Sequence, residues 1–283
     1  MRTIAIINQK GGTGKTTATV NLSAALGEQG HKVLVVDLDG QSNTTDWIAG
    51  PEARSRGLFD LLTGDEEGSL ADLAAETPCP GVDLVASSPY LVGAERAMSG
   101  QVGAEMVLKR AVSALPRDRW DFVIFDCPPS LGLLSASALG AAREVLVPLP
   151  ADTLALSGLA QLLQTLKAAR ERLNKDLELS GIMISRCESR TNLSKQLVAD
   201  LRERFGDVVL QTQIPETVRL REAPSHHKPV TSYARTSLAA EAYRAAAAEL
   251  VRRGVANRGN AVHAGDTVKA GQAELAGNTS NAV

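Results

Sequence analysis

Residues 8–17 read NQKGGTGKTT. The run follows TIAIIN at 3–8, an apolar stretch with the character of a buried strand, and leads into a helix-like stretch over 15–29. Strand, glycine-rich loop and helix in that order form the context of a phosphate-binding loop. Glycines let backbone N–H groups approach phosphate oxygens, and the helix start adds partial positive charge. Lys15 reaches the β- and γ-phosphates, and Thr16 offers its hydroxyl to Mg2+. The usual spacing G-x-x-x-x-G-K-[ST] nevertheless fails by one residue, because Gln9 stands where the first glycine belongs. What the loop has instead is a second lysine, Lys10.

Outward from this loop, short apolar runs recur at 32–39, 82–88, 120–126, 144–149, 179–185 and 208–215. Continuous Val, Ile and Leu without strict alternation suits strands covered on both faces. Helix-like stretches at 92–115, 153–174 and 192–205 separate them, and a closing helix is expected over 235–253 with Leu238, Ala242, Ala245 and Leu250 facing inward. Such alternation predicts an α/β fold, a single-domain, mainly parallel twisted sheet with helices on both faces, which binds ligands at the carboxyl ends of its strands. The domain is expected to span 1–253. Residues 254–283 lack aromatics and periodicity and read as a disordered tail.

Two acidic strand ends are candidates to complete the phosphate site. FVIFD ends in Asp126, the arrangement in which a carboxylate holds Mg2+ through water, and VLVVDLD carries Asp37 and Asp39, which alternation puts on one side of their strand. One acid can serve the metal shell while another orients the attacking water.

Composition narrows the function. The 283 residues are 44% hydrophobic but only 3% aromatic, so the core is built from Ala, Val, Leu and Ile, with no aromatic platforms for stacking bases. Three widely spaced cysteines without C-x-x-C argue against disulfides, a zinc site or a redox pair and for a reducing, cytoplasmic setting. Neither a leader segment nor a run of 18 apolar residues is seen, so no membrane association is expected. Net charge is -2, yet residues 186–235 carry nine Lys or Arg against six Asp or Glu, a local +3 that leaves -5 elsewhere. A basic face on an acidic body suits contact with nucleic-acid phosphates. The adjacent His226 and His227 point apart and have no third ligand near in sequence, which argues against a metal site.

KGGTGKTT, VDLDGQSN and FVIFDCPPSLG, followed by RTNLSKQL and IPETVRLREAPSHHKPV, resemble the ParA/Soj partition ATPases, a deviant Walker A class that also includes MinD and the nitrogenase iron protein. The resemblance runs from about residue 2 to 252. It implies a slow ATPase with ATP and Mg2+ as cofactors, in which Lys10 reaches across a homodimer to the partner's nucleotide. Lys10, Gly11, Gly12, Thr13, Gly14, Lys15, Thr16 and Thr17 would bind ATP, with Thr16 and Asp126 on the metal and Asp39 orienting the hydrolytic water. Pro215 and Thr217 fall where relatives contact adenine, although relatives often carry asparagine at 217. Gly40 stands where proline is common, which predicts a looser loop beside Asp39. Arg190 and Arg219 match arginines that bind double-stranded DNA without sequence preference in the ATP dimer; Lys195 and Arg221 are further candidates. The resemblance also implies a ParB-like partner and a nucleoid-associated location. A MinD-like or cargo-positioning ATPase that uses the same dimer switch without DNA is the alternative. An iron protein holds its cluster with two cysteines per subunit; Cys127, directly after Asp126, reads instead as a small buried residue, with a nucleotide-dependent electron donor as a further alternative, and the tail from Gly254 shows neither the bulky amphipathic character of MinD nor a C-terminal C-x-x-C.

Overall fold

The computed structural model describes residues 1–64, 68–152, 155–187 and 192–257. Strands are β1 (Arg2–Ile6), β2 (Val33–Asp37), β3 (Ala75–Glu76), β4 (Val82–Val85), β5 (Phe122–Asp126), β6 (Glu144–Pro150) and β7 (Glu178–Ser185). Helices are α1 (Lys15–Glu28), α2 (Asn43–Ala49), α3 (Gly57–Thr63), α4 (Leu70–Leu73), α5 (Leu91–Met98), α6 (Val107–Ser113), α7 (Leu133–Ala141), α8 (Ala155–Arg172), α9 (Asn192–Phe205), α10 (Val218–Glu222), α11 (Val230–Tyr233) and α12 (Leu238–Asn257). One sheet runs in the order β3-β4-β2-β5-β1-β6-β7, parallel except for the short antiparallel edge β3. The expected α/β architecture is thus present, and β1, which feeds the glycine loop, lies between β5 and β6.

Strand alternation divides the core in two. Ala5, Leu34, Val36, Val123 and Phe125 face a layer built from α3 to α9, whereas Ile4, Ile6, Val33, Val35 and Ile124 face α1, α2 and α12. Every residue of β2 and β5 is buried, which is why their sequences show no polar side. Helix α1 is covered on all sides, with Ala18 to Leu26 buried throughout.

Three expectations are corrected. Segment 208–215 is not a strand: after a 3-10 turn at Gly206–Val208 it meets β7 and the residues just after it at the isolated bridges Ile182↔Val209 and Cys187↔Pro215 and through the Ile214 amide, which donates to the Ile184 carbonyl at 2.8 Å. The Gln211 and Thr212 amides donate to the Glu249 carboxylate at 2.8 and 3.0 Å instead of to a strand. The stretch 92–115 is broken into α5 and α6, because Gly100 and Gly103 adopt φ of 85° and 75°, outside any right-handed helix. Helix α12 continues past Gly254 to Asn257, with later residues outside those described, and it presents Ala239, Ala240, Tyr243, Ala246, Ala247 and Leu250 inward while Leu238 is 70% exposed. Ala245 is likewise exposed. Tyr243 is among the largest fully buried side chains and sets the helix face, overriding the more apolar leucine at the helix start.

Gly27 lies in α1 where a Cβ would come 2.2 Å from the Pro80 carbonyl oxygen. Alanine normally gains about 1 kcal/mol over glycine inside a helix. Here Gly27→Ala is expected to lose about 1–3 kcal/mol through overpacking, read as a lower urea midpoint at unchanged slope.

Candidate functional site

The loop after β1 is held by its neighbours on the sheet. Asn8, buried, donates through Nδ2 to the Pro148 carbonyl at 2.8 Å and accepts the Lys10 amide at 3.2 Å. Ser185, at the end of β7, donates to the Thr13 carbonyl at 3.0 Å. Gly12 and Gly14 adopt φ of 74° and 91°, which side chains disfavour, and Gly14 leads directly into α1. The two lysines diverge. Lys15 is buried, with Nζ donating to the Lys10 carbonyl at 3.4 Å, whereas the Lys10 side chain is exposed. Burial pushes the Lys15 pKa down, against the opposing pull of Asp126, Cys127 and Asp39.

Strand register sets the acids. Asp37 and Asp126 are paired across β2 and β5, and Ile6, the last residue of β1, pairs with Asp126 on its other side. Asp126 Oδ2 accepts the Thr16 hydroxyl at 2.9 Å and the Thr44 hydroxyl at 2.6 Å, while Oδ1 accepts Thr19 at 3.3 Å. Asp37 Oδ2 accepts the amide and hydroxyl of Thr45 at 2.9 and 2.7 Å, and its Oδ1 accepts the Asp39 amide at 3.1 Å. Burial, together with Asp126, pushes the Asp37 carboxyl up to about 8; burial likewise pushes Asp126 up to about 6.

Asp37 and Asp39 do not share a strand side as alternation suggested, because β2 ends at Asp37. Asp39 sits in the following turn, where its carbonyl accepts the Ser87 hydroxyl at 2.6 Å. Nor is this turn loose at Gly40: a Cβ there would lie 2.9 Å from the Val92 backbone nitrogen at the start of α5. Glycine is present because α5 comes too close for anything larger.

A cavity of about 640 Å3, within the range of small-molecule sites, opens over the loop. Residues Gly11 to Thr17 form its floor, and Asp39, Trp47, Thr217 and Tyr243 contribute walls. Thr16 and Asp126 beside it are an all-oxygen pair of the kind magnesium takes, and they fit that ion. Pro215, expected on the base, is tied to Cys187, and its neighbours Ile214 and Glu216 line the cavity. The Thr217 hydroxyl caps α10 by accepting the Leu220 amide at 3.2 Å.

Arg219, Arg221 and Lys195 of the expected basic face are all exposed. Arg219 has 62% of its side chain exposed and is paired to Glu222 at 3.0 Å. Arg221, 67% exposed, also borders the cavity, as does Arg186, whose Nε meets Glu216 at 2.9 Å from a left-handed backbone of φ 51°. Arg190 lies outside the described residues. Sequence reasoning counts Arg186 only as charge and passes over Thr44, Thr45 and Ser185; hydroxyl residues carry no motif signal until the sheet brings them to the loop. His227 meets the Asp46 carbonyl at 2.6 Å through Nδ1, and His226 stacks on Tyr233. Cys79, Cys127 and Cys187 are all buried, and burial pushes the Cys127 thiol far up, so it offers no thiolate. No described helix is long and apolar enough to cross a membrane.

The family described as an AAA domain matches residues 1–179. The chain is 40% identical over 252 residues to the sporulation initiation inhibitor protein Soj of Bacillus subtilis, covering 89% of this chain and 98% of that one. Identity to the chromosome partitioning protein ParA of Caulobacter vibrioides is 38% over 255 residues, covering 89% and 95%. Among solved structures, cobyrinic acid a,c-diamide synthase from Mycobacterium smegmatis with bound ADP and magnesium is similar at a TM-score of 0.77 and 37% identity, covering 89% of this chain and 94% of that one. The cell division ATPase MinD of Pyrococcus furiosus gives 0.73 and 28%, covering 89% and 98%.

The raised carboxyls make stability depend on pH. Folded Asp37 and Asp126 hold protons that the unfolded chain, with an ordinary carboxyl pKa of 3.8, has already released. Their contribution is therefore fully present below that value and is lost as pH rises through about 6 and about 8. Urea unfolding in EDTA without nucleotide is expected to lose stability between those limits, with a slope up to about 1.4 kcal/mol per pH unit for each proton held. Asp37→Asn should flatten that slope.

Proposed function

The chain belongs to the Soj/ParA family of partition ATPases, and from that membership we propose that it is an ATP-driven switch that moves chromosomal or plasmid DNA. The observation that carries the reading is the opposite placement of two lysines in one loop, Lys15 buried on the cavity wall and Lys10 exposed. ATP and Mg2+ take the cavity, as ADP or an ATP analogue and magnesium are bound in the Mycobacterium smegmatis structures. When bound, the cation neutralises charge on the β- and γ-phosphates. Thr16 and Asp126 hold it, the amides of Gly11 to Thr17 and the Lys15 ammonium hold the phosphates, and Asp39 orients the attacking water. Thr217 lies on the base side, next to Pro215.

Lys10 serves the phosphates of a second subunit, so two nucleotides are sandwiched in a homodimer. Dimerisation joins two weak basic patches, each with exposed Arg219 and Arg221, into one particle that grips double-stranded DNA by avidity and without sequence preference. Hydrolysis removes the γ-phosphate contacts and releases DNA. Intrinsic turnover is slow because the site is incomplete until the partner subunit and a ParB-like activator arrive. The work is done in the cytoplasm, on the nucleoid.

Lys10→Ala is expected to keep nucleotide binding but lose the ATP-dependent doubling of mass in light scattering; a normal dimer would remove the basis of the reading. Arg219→Ala should dimerise with ATP yet bind DNA more weakly, and the slope of log affinity against log salt should shrink by about 2 per dimer, roughly 0.9 for each DNA phosphate that is no longer neutralised. An unchanged slope would return the molecule to a cargo-positioning ATPase that works without DNA.

A further inference from the structure

Thr44 belongs to no phosphate-loop motif, yet its hydroxyl makes the shortest of the three contacts to Asp126, at 2.6 Å across 82 positions of sequence. Thr44 is fully buried, as is its neighbour Thr45, which holds Asp37 and so the Asp39 amide. A carboxylate oxygen has room for about two in-plane hydrogen bonds. Asp126 Oδ2 is filled by Thr16 and Thr44, whereas Oδ1 has, among the described residues, only the longer 3.3 Å contact from Thr19. Thr16 approaches from α1 and Thr44 from α2, so the carboxylate is gripped from two elements and its plane is fixed. The spare accepting capacity is thereby confined to Oδ1.

Resting on the reading of the site as an ATP and magnesium site, we infer that Thr44 is a positioning residue: its hydroxyl aims the Asp126 carboxylate for the cation and ties it to the turn that carries Asp39. The hydroxyl does not touch the cation. It acts through Asp126, as outer partners of metal ligands generally do. Without it, Oδ2 loses one of its two donors, the carboxylate is held from α1 alone, and the linkage from metal ligand to α2 is cut. Thr44→Ser keeps that linkage; Thr44→Val removes it at nearly constant volume.

Trp47, in α2 on the cavity wall, supplies the readout. The chain's other tryptophan, Trp120, lies just before β5 at the end of the strand opposite Asp126 and gives a constant background. Magnesium is titrated into protein saturated with ADP, with tryptophan emission recorded, and ADP affinity is measured separately in EDTA. Wild type and Thr44→Ser should share one magnesium midpoint. Thr44→Val should need at least about 10-fold more magnesium, the lower end of the effect of removing an outer partner, while its ADP affinity in EDTA is unchanged. Thr44→Ala, which places no methyl against the carboxylate, is measured in parallel so that the result does not depend on valine being accommodated. A Thr44→Val or Thr44→Ala midpoint equal to wild type overturns the inference, and so does an equal loss of ADP affinity in EDTA, which marks general damage to the fold. A wild-type protein with no magnesium response overturns the nucleotide reading itself and this inference with it.

Discussion

Two carboxylates buried side by side, Asp37 and Asp126, are the constraint around which this site is arranged. Ionised groups in a protein interior are costly unless donors surround them. The chain meets that cost in two ways: burial keeps a proton on Asp37 up to about pH 8, and hydroxyls and amides surround the pair, Thr16, Thr19 and Thr44 on Asp126, Thr45 and the Asp39 amide on Asp37. Each donor comes from a segment that must then be in place, namely α1, the turn after β2, and α2. Folding of the sheet and assembly of the phosphate site are therefore one event, since the strand pairing that buries the acids also gathers the groups that satisfy them.

Much of this is legible in the sequence because it is local. The glycine loop, the apolar runs of β1, β2 and β5, and Asp126 at a strand end all follow from spacing within about ten residues of chain. What is not legible depends on partners far away. The run at 208–215 has strand composition, but the Glu249 carboxylate takes two of its amides, and nothing in its own residues announces that. The register of α12 escapes a sequence reading because alanine faces look alike until Tyr243 finds its place in the core. Arg219 and Arg221, two positions apart on a short helix, are both exposed but face different acids, Glu222 and Glu216, and Arg221 also borders the cavity. Charge counting cannot separate them.

Proteins similar to this chain at 38%, 37% and 28% identity bear names from different trades, chromosome partitioning, diamide synthesis and cell division. A common scaffold leaves the trade to be decided by the surface around it. In this chain the features that bear on that choice are few and specific: an exposed Lys10, an exposed Arg219 and three buried cysteines.

Gly40 bears on how such a chain can change over time. With the Val92 backbone nitrogen 2.9 Å from where a Cβ would stand, every side chain at 40, proline included, is shut out while α5 keeps its present position. A lineage moving between glycine and proline here could not do so by a single neutral step. The helix would have to withdraw first, so any side chain at position 40 requires a different placement of α5.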